Sequence, residues 1–263
     1  MALRKRTRSR IYRVTMYVIF IAVILAFIVF ADWPKLQQQF FNLDVAAKMF
    51  PNIIVIGLRN TILFTLIAFA GGLLLGILFA LMKLSSIGPF RWFATGWIEL
   101  FRGLPALLTI FAMTYILPIA LGWKVPGGPV GSALIGLILV ASAYMAEVIR
   151  AGIQAVPKGQ TEASRSLGMS PMKTTFWIII PQGFRIIIPP MTNEFVLLLK
   201  DTSLMFIAGS FIWSKELTTF ARDANTSEAN ATPLIIAALL YLVVTIPLTR
   251  FTAWLERRMA RER

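Results

Sequence analysis

The chain has 263 residues, 57% of them hydrophobic, against ~45–50% in soluble globular domains, so it is read as a polytopic membrane protein. It contains no cysteine, which excludes disulfides and thiolate metal sites, and no histidine, which removes the commonest metal ligand and general base and argues against an enzyme. Its formal net charge of +14 would suit a nucleic-acid partner, yet the basic residues fall where membrane orientation alone accounts for them, so no nucleic acid is expected.

An arginine-rich start (residues 1–11) precedes the apolar run Tyr12 to Ala31. At about 20 residues this run exceeds the ~7–15 of a signal peptide, and no small-residue cleavage site follows before Asp32, so it is read as a retained first span. Asp32 to Pro51 is amphipathic, with Trp33 placed for the outer interface. A second span runs from about Val55 or Thr61 to Leu84, and Gly72-x-x-x-Gly76 within it offers a flat surface for another helix. Arg59 and Asn60 fall near its outer end. Gly88-Pro89 marks a short turn over Ser85 to Ala94. The third span is predicted from about Glu99 to Leu121, with Pro105 and Pro118 interrupting its ladder and with Glu99 and Arg102 spaced to pair at the interface, the alternative being a contact with the segment after the fourth span or with the substrate path.

Gly122 to Gly131 reads as an outer loop and Val130 to Ile149 as the fourth span, whose Glu147 and Arg150 form another pair three residues apart. Val156 to Pro190 then reads as a basic, proline-punctuated handle. Pro157 and Gly159 suit a turn into a helix from Gln160 to Leu167, Gly168 can end it in the left-handed conformation, and Ser170 with Pro171 opens a second helix. The segment carries no catalytic group, so its use is mechanical. Pro189-Pro190 is taken as the start of the fifth span, Met191 to about Gly209. That span bears Asn193, Glu194, Lys200 and Asp201, which at membrane depth cost ~2.5–3.5 kcal/mol for each ionised group and must face protein or a wet cavity. Glu194 and Asp201 share one strip and Asn193 and Lys200 the next, and Thr202-Ser203 suits a local break. These four residues are the candidate substrate pathway. Phe211 to Thr232 is an outer segment, Pro233 to about Trp254 the last span, and residues 255–263 a basic tail.

Glu162, Ala163, Ser164 and Gly168, followed by Ile178, Ile180 and Pro181, resemble the E-A-A, Gly, I-x-L-P signature of the permease subunits of bacterial ABC importers. Ser164 stands where the second alanine is usual and Ile180 where leucine is usual. The runs Ala143 to Gln160, Asn193 to Leu204 and Glu99 to Pro105 are similar to the polar amino-acid uptake branch. The expected fold class is therefore all-α, a single transmembrane domain over 1–263 with about six spans. The resemblance implies cytoplasmic ABC ATPase subunits docking on Glu162, Ala163, Ser164, Gly168 and Pro181. It further implies an extracytoplasmic amino-acid-binding protein and a second permease subunit, identical or paralogous, in the bacterial inner membrane. No cofactor is expected. The chain has no G-x-x-x-x-G-K-[ST] phosphate loop, so ATP chemistry is assigned to another polypeptide. With six spans, the basic clusters at both ends and around the handle all fall on one side, which places both termini in the cytoplasm. An ATP-independent channel or ion-coupled carrier for a small charged solute is the alternative reading, and it leaves the handle without a purpose.

Overall fold

The computed structural model describes residues 5–122, 125–209 and 211–261; Arg4, Lys124 and Arg263, which figure in the charge pattern, lie outside the described residues. The described residues form helices α1 (Lys5–Phe30), α2 (Trp33–Phe40), α3 (Leu43–Met49), α4 (Arg59–Leu84) and α5 (Gly88–Gly103). After these come α6 (Ala106–Phe111), α7 (Leu117–Leu121), α8 (Gly128–Gln154), α9 (Lys158–Ser166) and α10 (Pro171–Thr174), then α11 (Ile180–Asp201), α12 (Leu217–Glu228) and α13 (Thr232–Arg261). Wider π turns lead into α4 (Ile53–Leu58), join α6 to α7 (Ala112–Ile116) and lead into α11 (Thr175–Ile179).

Helix α8 is the centre of the bundle, packed by α4, α5, α6 and α11, with Leu137 and Met145 almost wholly buried beside Ile98, Ile110 and Leu198. Its small residues permit this: an added Cβ at Gly72 would stand 2.7 Å from the Ala141 Cβ, and one at Gly76 2.9 Å from the Met145 Cβ. The predicted small-x-x-x-small surface is thus where α4 and α8 come closest, and van der Waals packing over such short distances is what joins helices where lipid removes the hydrophobic drive. Phe79 stacks on Trp97 at 4.5 Å, and Trp97 donates to Ser142 Oγ at 3.1 Å, which fixes α5 against α4 and α8. Helix α1, by contrast, is exposed along its described length and touches the bundle nowhere that buries it.

Two predicted spans are corrected. The single third span does not exist as one rod: Gly88–Gly103 and Ala106–Leu121 are bent by 105°. Pro105 has no amide hydrogen, and Leu104 before it is extended (φ −86°, ψ 139°), as the ring of a following proline demands. Nor does the fifth span begin at Pro189-Pro190. Helix α11 starts at Ile180, and both prolines sit inside it, because their fixed φ is already helical and only ladder hydrogen bonds are given up. The helix stops at Asp201 and tightens into a 3₁₀ turn over Thr202–Ala208, the break foreseen at Thr202-Ser203. Four described helices are long and apolar enough to cross a membrane, or five if the bent pair is one span. Helix α11 is not among them, since Arg185, Glu194, Lys200 and Asp201 lower its apolarity; a count of six rests on its being sheltered by protein.

On the side of α13 where it begins, α2 and α3 are tied down by backbone and side-chain bonds: Ala231 N–H to Gln39 O at 2.9 Å, Asn230 Nδ2 to Gln38 O at 2.8 Å, and Asn42 N–H to Thr232 Oγ1 at 2.9 Å. The predicted outer segment is helical in part, as α12, and Lys48–Glu228 (2.7 Å) and Lys215–Asp223 (2.6 Å) neutralise charges there.

Candidate functional site: a handle and a charged cavity

The handle folds as its residues dictate. Pro157 precedes α9, and the helix ends at Gly168 with φ +83°. Met169 N–H reaches back to Ser164 O (3.1 Å) and Gly168 N–H to Arg165 O (3.0 Å), the pair of bonds that closes a helix through a left-handed residue. Ser170 then accepts from Lys173 N–H at 3.3 Å and caps α10. Ser164 is buried between the two short helices, its Oγ 3.1 Å from Thr174 Oγ1 and donating to Thr161 O. Only a small side chain fits that position, and the hydroxyl adds a polar tie across the elbow. Glu162 and Ala163 face outward, with Leu167 (85% exposed) and Met172 (71% exposed) at the tip. Pro181 is exposed at the start of α11, and Gln182 Nε2 donates to Gln160 Oε1 at 3.3 Å, holding the root of that helix to the handle.

The end of α8 that leads into the handle is pinned by a three-residue ion cluster. Glu147 pairs with Arg150 as its spacing predicted, and Lys83 from the last turn of α4 joins them at 3.2 Å. Sequence gives no sign of Lys83, which lies 64 positions away. Arg150 also donates to Gln154, so both α4 and the final turns of α8 converge on one carboxylate.

The four candidate pathway residues separate into two sets. Glu194 and Asp201 are half-buried and line a cavity of about 200 Å³ together with Ala106, Val140, Tyr144 and Leu197. Asn193 and Lys200 are exposed on the neighbouring strip and are not part of its wall; no ion pair joins Lys200 to Asp201 among the described residues. The cation next to the cavity wall comes from elsewhere. Arg102 makes no ion pair with Glu99 among the described residues; its guanidinium lies 5.5 Å from the centroid of the ring of Tyr144, which lines the cavity. A planar cation against an aromatic face is a favourable contact in its own right. The cavity thus presents two carboxylates and a phenol ring in an otherwise apolar wall, with one guanidinium beside that ring.

A further polar knot, unforeseen in the sequence, lies at the start of α12. Glu216 is 2% exposed and accepts from Thr218 N–H (2.6 Å), Thr219 N–H (2.7 Å) and Thr219 Oγ1, with Tyr241 OH at 3.3 Å. Leu217 N–H donates to Thr61 Oγ1 (3.0 Å), and Asn60 Nδ2 donates to Trp213 O (2.8 Å) and Lys215 O (3.0 Å).

Residues 72–261 match the family model of the binding-protein-dependent transport system inner membrane component. The chain is similar to the L-cystine transport system permease protein of Bacillus subtilis (36% identical over 220 residues, 83% of this chain and 91% of the relative). It is similar also to the arginine transport system permease protein of the same organism (34% over 221 residues, 83% and 98%). Among solved structures it resembles an amino acid ABC transporter crystallised with histidines, at 35% identity and a TM-score of 0.73 over 81% of this chain and 96% of that one. A bacterial transporter that imports the polysaccharide alginate shares the fold alone, at 15% identity and a TM-score of 0.62.

Proposed function

The chain belongs to the family of binding-protein-dependent transport system inner membrane components, and we propose that it is the permease subunit of an ATP-driven importer that moves amino acids into the cytoplasm. It is a multi-pass membrane protein, and the family's name carries the dependence on a binding protein. The observation that supports the substrate class is the cavity: Glu194 and Asp201 in its wall, with Arg102 beside its Tyr144 ring, match the ammonium and carboxylate that every amino acid presents. Both charges of the substrate must find partners when it leaves water. The two acids receive the α-ammonium or a cationic side chain, and Arg102 takes the carboxylate. Two acids against one cation favour neutral or basic amino acids over acidic ones.

Asn193 and Lys200 belong to an exposed strip of α11, and an ammonium cannot face lipid at that depth without a partner. A second permease subunit, identical or paralogous, covers this strip. The elbow at Gly168, with Glu162, Ala163 and Ser164 beside it and Pro181 at the root of α11, docks the ATPase. Closure of the ATPase pair moves the handle as a body, and α11, rooted in it through Gln182–Gln160, carries the motion to the cavity.

Glu194→Gln and Asp201→Asn keep shape and remove charge, and each is expected to weaken half-saturation of uptake about tenfold, the worth of a hydrogen bond to a charged group. The measurement uses proteoliposomes with ATPase and a fixed concentration of binding protein, across acidic, neutral and basic amino acids. Unchanged affinity and selectivity in both variants would make the acids structural and move the site elsewhere. Orientation is tested separately, because the chain has no cysteine to remove. Asp44→Cys is expected to react with an impermeant maleimide in intact cells, whereas Gln160→Cys reacts only after lysis; the reverse pattern would invert the topology.

A further inference from the structure

Helices α4, α11 and α13 leave between them a groove of about 370 Å³ that the import cycle described above does not use. Phe69, Phe184, Ile188, Phe195, Leu248 and Phe251 give its wall. Two hydroxyls reach it, and both are spent: Thr192 Oγ1 donates to Pro189 O (2.7 Å) and Thr252 Oγ1 to Leu248 O (3.0 Å). The groove therefore offers nothing to a polar solute, although its size lies within the ~300–1,000 Å³ of small-molecule sites. It runs lengthwise from Phe69 and Phe195, whose rings meet edge to face at 5.2 Å, toward Phe184 in the first turns of α11 beside the handle.

At that end stands Arg185. It precedes Ile188 by three residues and Thr192 by seven, so it lies on the helical strip that walls the groove. Arg185 is exposed and makes no hydrogen bond or ion pair with any described residue. An apolar slot walled by three helices, with an unpaired guanidinium on the same strip of α11, has the polarity pattern of one kind of ligand. We propose that the groove holds an acyl chain of an anionic phospholipid of the inner leaflet, with its phosphate on Arg185. Basic sites between membrane helices on the cytoplasmic side bind such headgroups by charge, and an arginine fork meets a phosphate in two hydrogen bonds. The lipid lies against α11, the helix that links handle to cavity, so its presence bears on how freely that helix slides past α4 and α13.

The test uses the purified permease–ATPase complex and native mass spectrometry, after equilibration with phosphatidylglycerol or phosphatidylcholine of the same chains. The wild type is expected to retain phosphatidylglycerol about fivefold over phosphatidylcholine, the effect of one basic residue near an anionic surface. Arg185→Gln is expected to erase that preference while still holding either lipid. Ile188→Trp fills the slot and is expected to lose both, and Leu248→Trp does so from the opposite wall if the first variant fails to assemble. ATPase association is measured on each sample, so that loss of a subunit is not mistaken for loss of lipid. Equal retention of the two lipids by the wild type, or an unchanged preference in Arg185→Gln, overturns the proposal. So does retention that ignores both tryptophans, the outcome if a protein helix such as α1 fills the groove instead.

Discussion

Gly168→Val is expected to abolish ATP-dependent uptake and to release the ATPase during purification, while the chain still inserts in the membrane. Nothing lies within 4 Å of where a Cβ would sit, so the damage is not a clash with a neighbour. It is conformational: at φ +83° a side chain meets its own backbone, at ~1–2 kcal/mol for an ordinary residue and more for one branched at Cβ. The elbow is the least able part of the molecule to absorb this. Helices of nine and four residues are too short to hold themselves in water, and their relative placement depends on the two reversed hydrogen bonds around Gly168 and on the Ser164–Thr174 contact. Gly168→Asn is the matching control, because asparagine tolerates the left-handed region, and it should keep most of the uptake. Normal transport by Gly168→Val, or equal loss in both variants, would show that the elbow's conformation does not couple the subunits.

That elbow was legible because its rules are local. A glycine followed two residues on by serine and proline encodes an end and a beginning, and the observed φ and cap bond follow from those residues alone. The same holds for Gly72-x-x-x-Gly76 and for Glu147–Arg150, where spacing on one helix decides which side chains share a face. The bend at Leu104-Pro105 was half legible: proline announces a break, but only the packing of α5 and α6 on α8 sets its angle. Pro189-Pro190 misled for the opposite reason, since the residues that open a helix also fit inside one when neighbouring helices hold the rod together. What stayed hidden was nonlocal. Lys83 meets Glu147 and Arg102 meets Tyr144 across different helices, so which of its expected partners Arg102 approaches is decided only by the packing of α5 on α8.

Glu216→Ala is expected to lower the melting temperature of the purified chain by on the order of 5–10 °C. This carboxyl is the first group of α12 and the hub of its attachment to α4 and α13, through Leu217–Thr61 and Tyr241. Its removal takes away the cap and so leaves Thr218 N–H and Thr219 N–H short of an acceptor in a buried place, at about 1–3 kcal/mol. The pH dependence distinguishes this role from simple packing. Burial is the largest influence on Glu216 and pushes its carboxyl above the ordinary 4.5, against the opposing pull of its hydrogen-bond donors. A raised value in the fold means that the folded chain holds the proton more tightly than the unfolded one. The contribution is therefore complete below about 4.5 and is lost as pH rises through the raised value. Thermal stability of the wild type should accordingly fall as pH is raised across that window, and Glu216→Gln, which cannot ionise, should flatten this part of the profile while keeping one acceptor for the cap. A wild-type profile that instead rises over the same window, or one that Glu216→Gln leaves unaltered, would mean that the carboxylate is held ionised and that α12 is fastened by its hydrogen bonds alone.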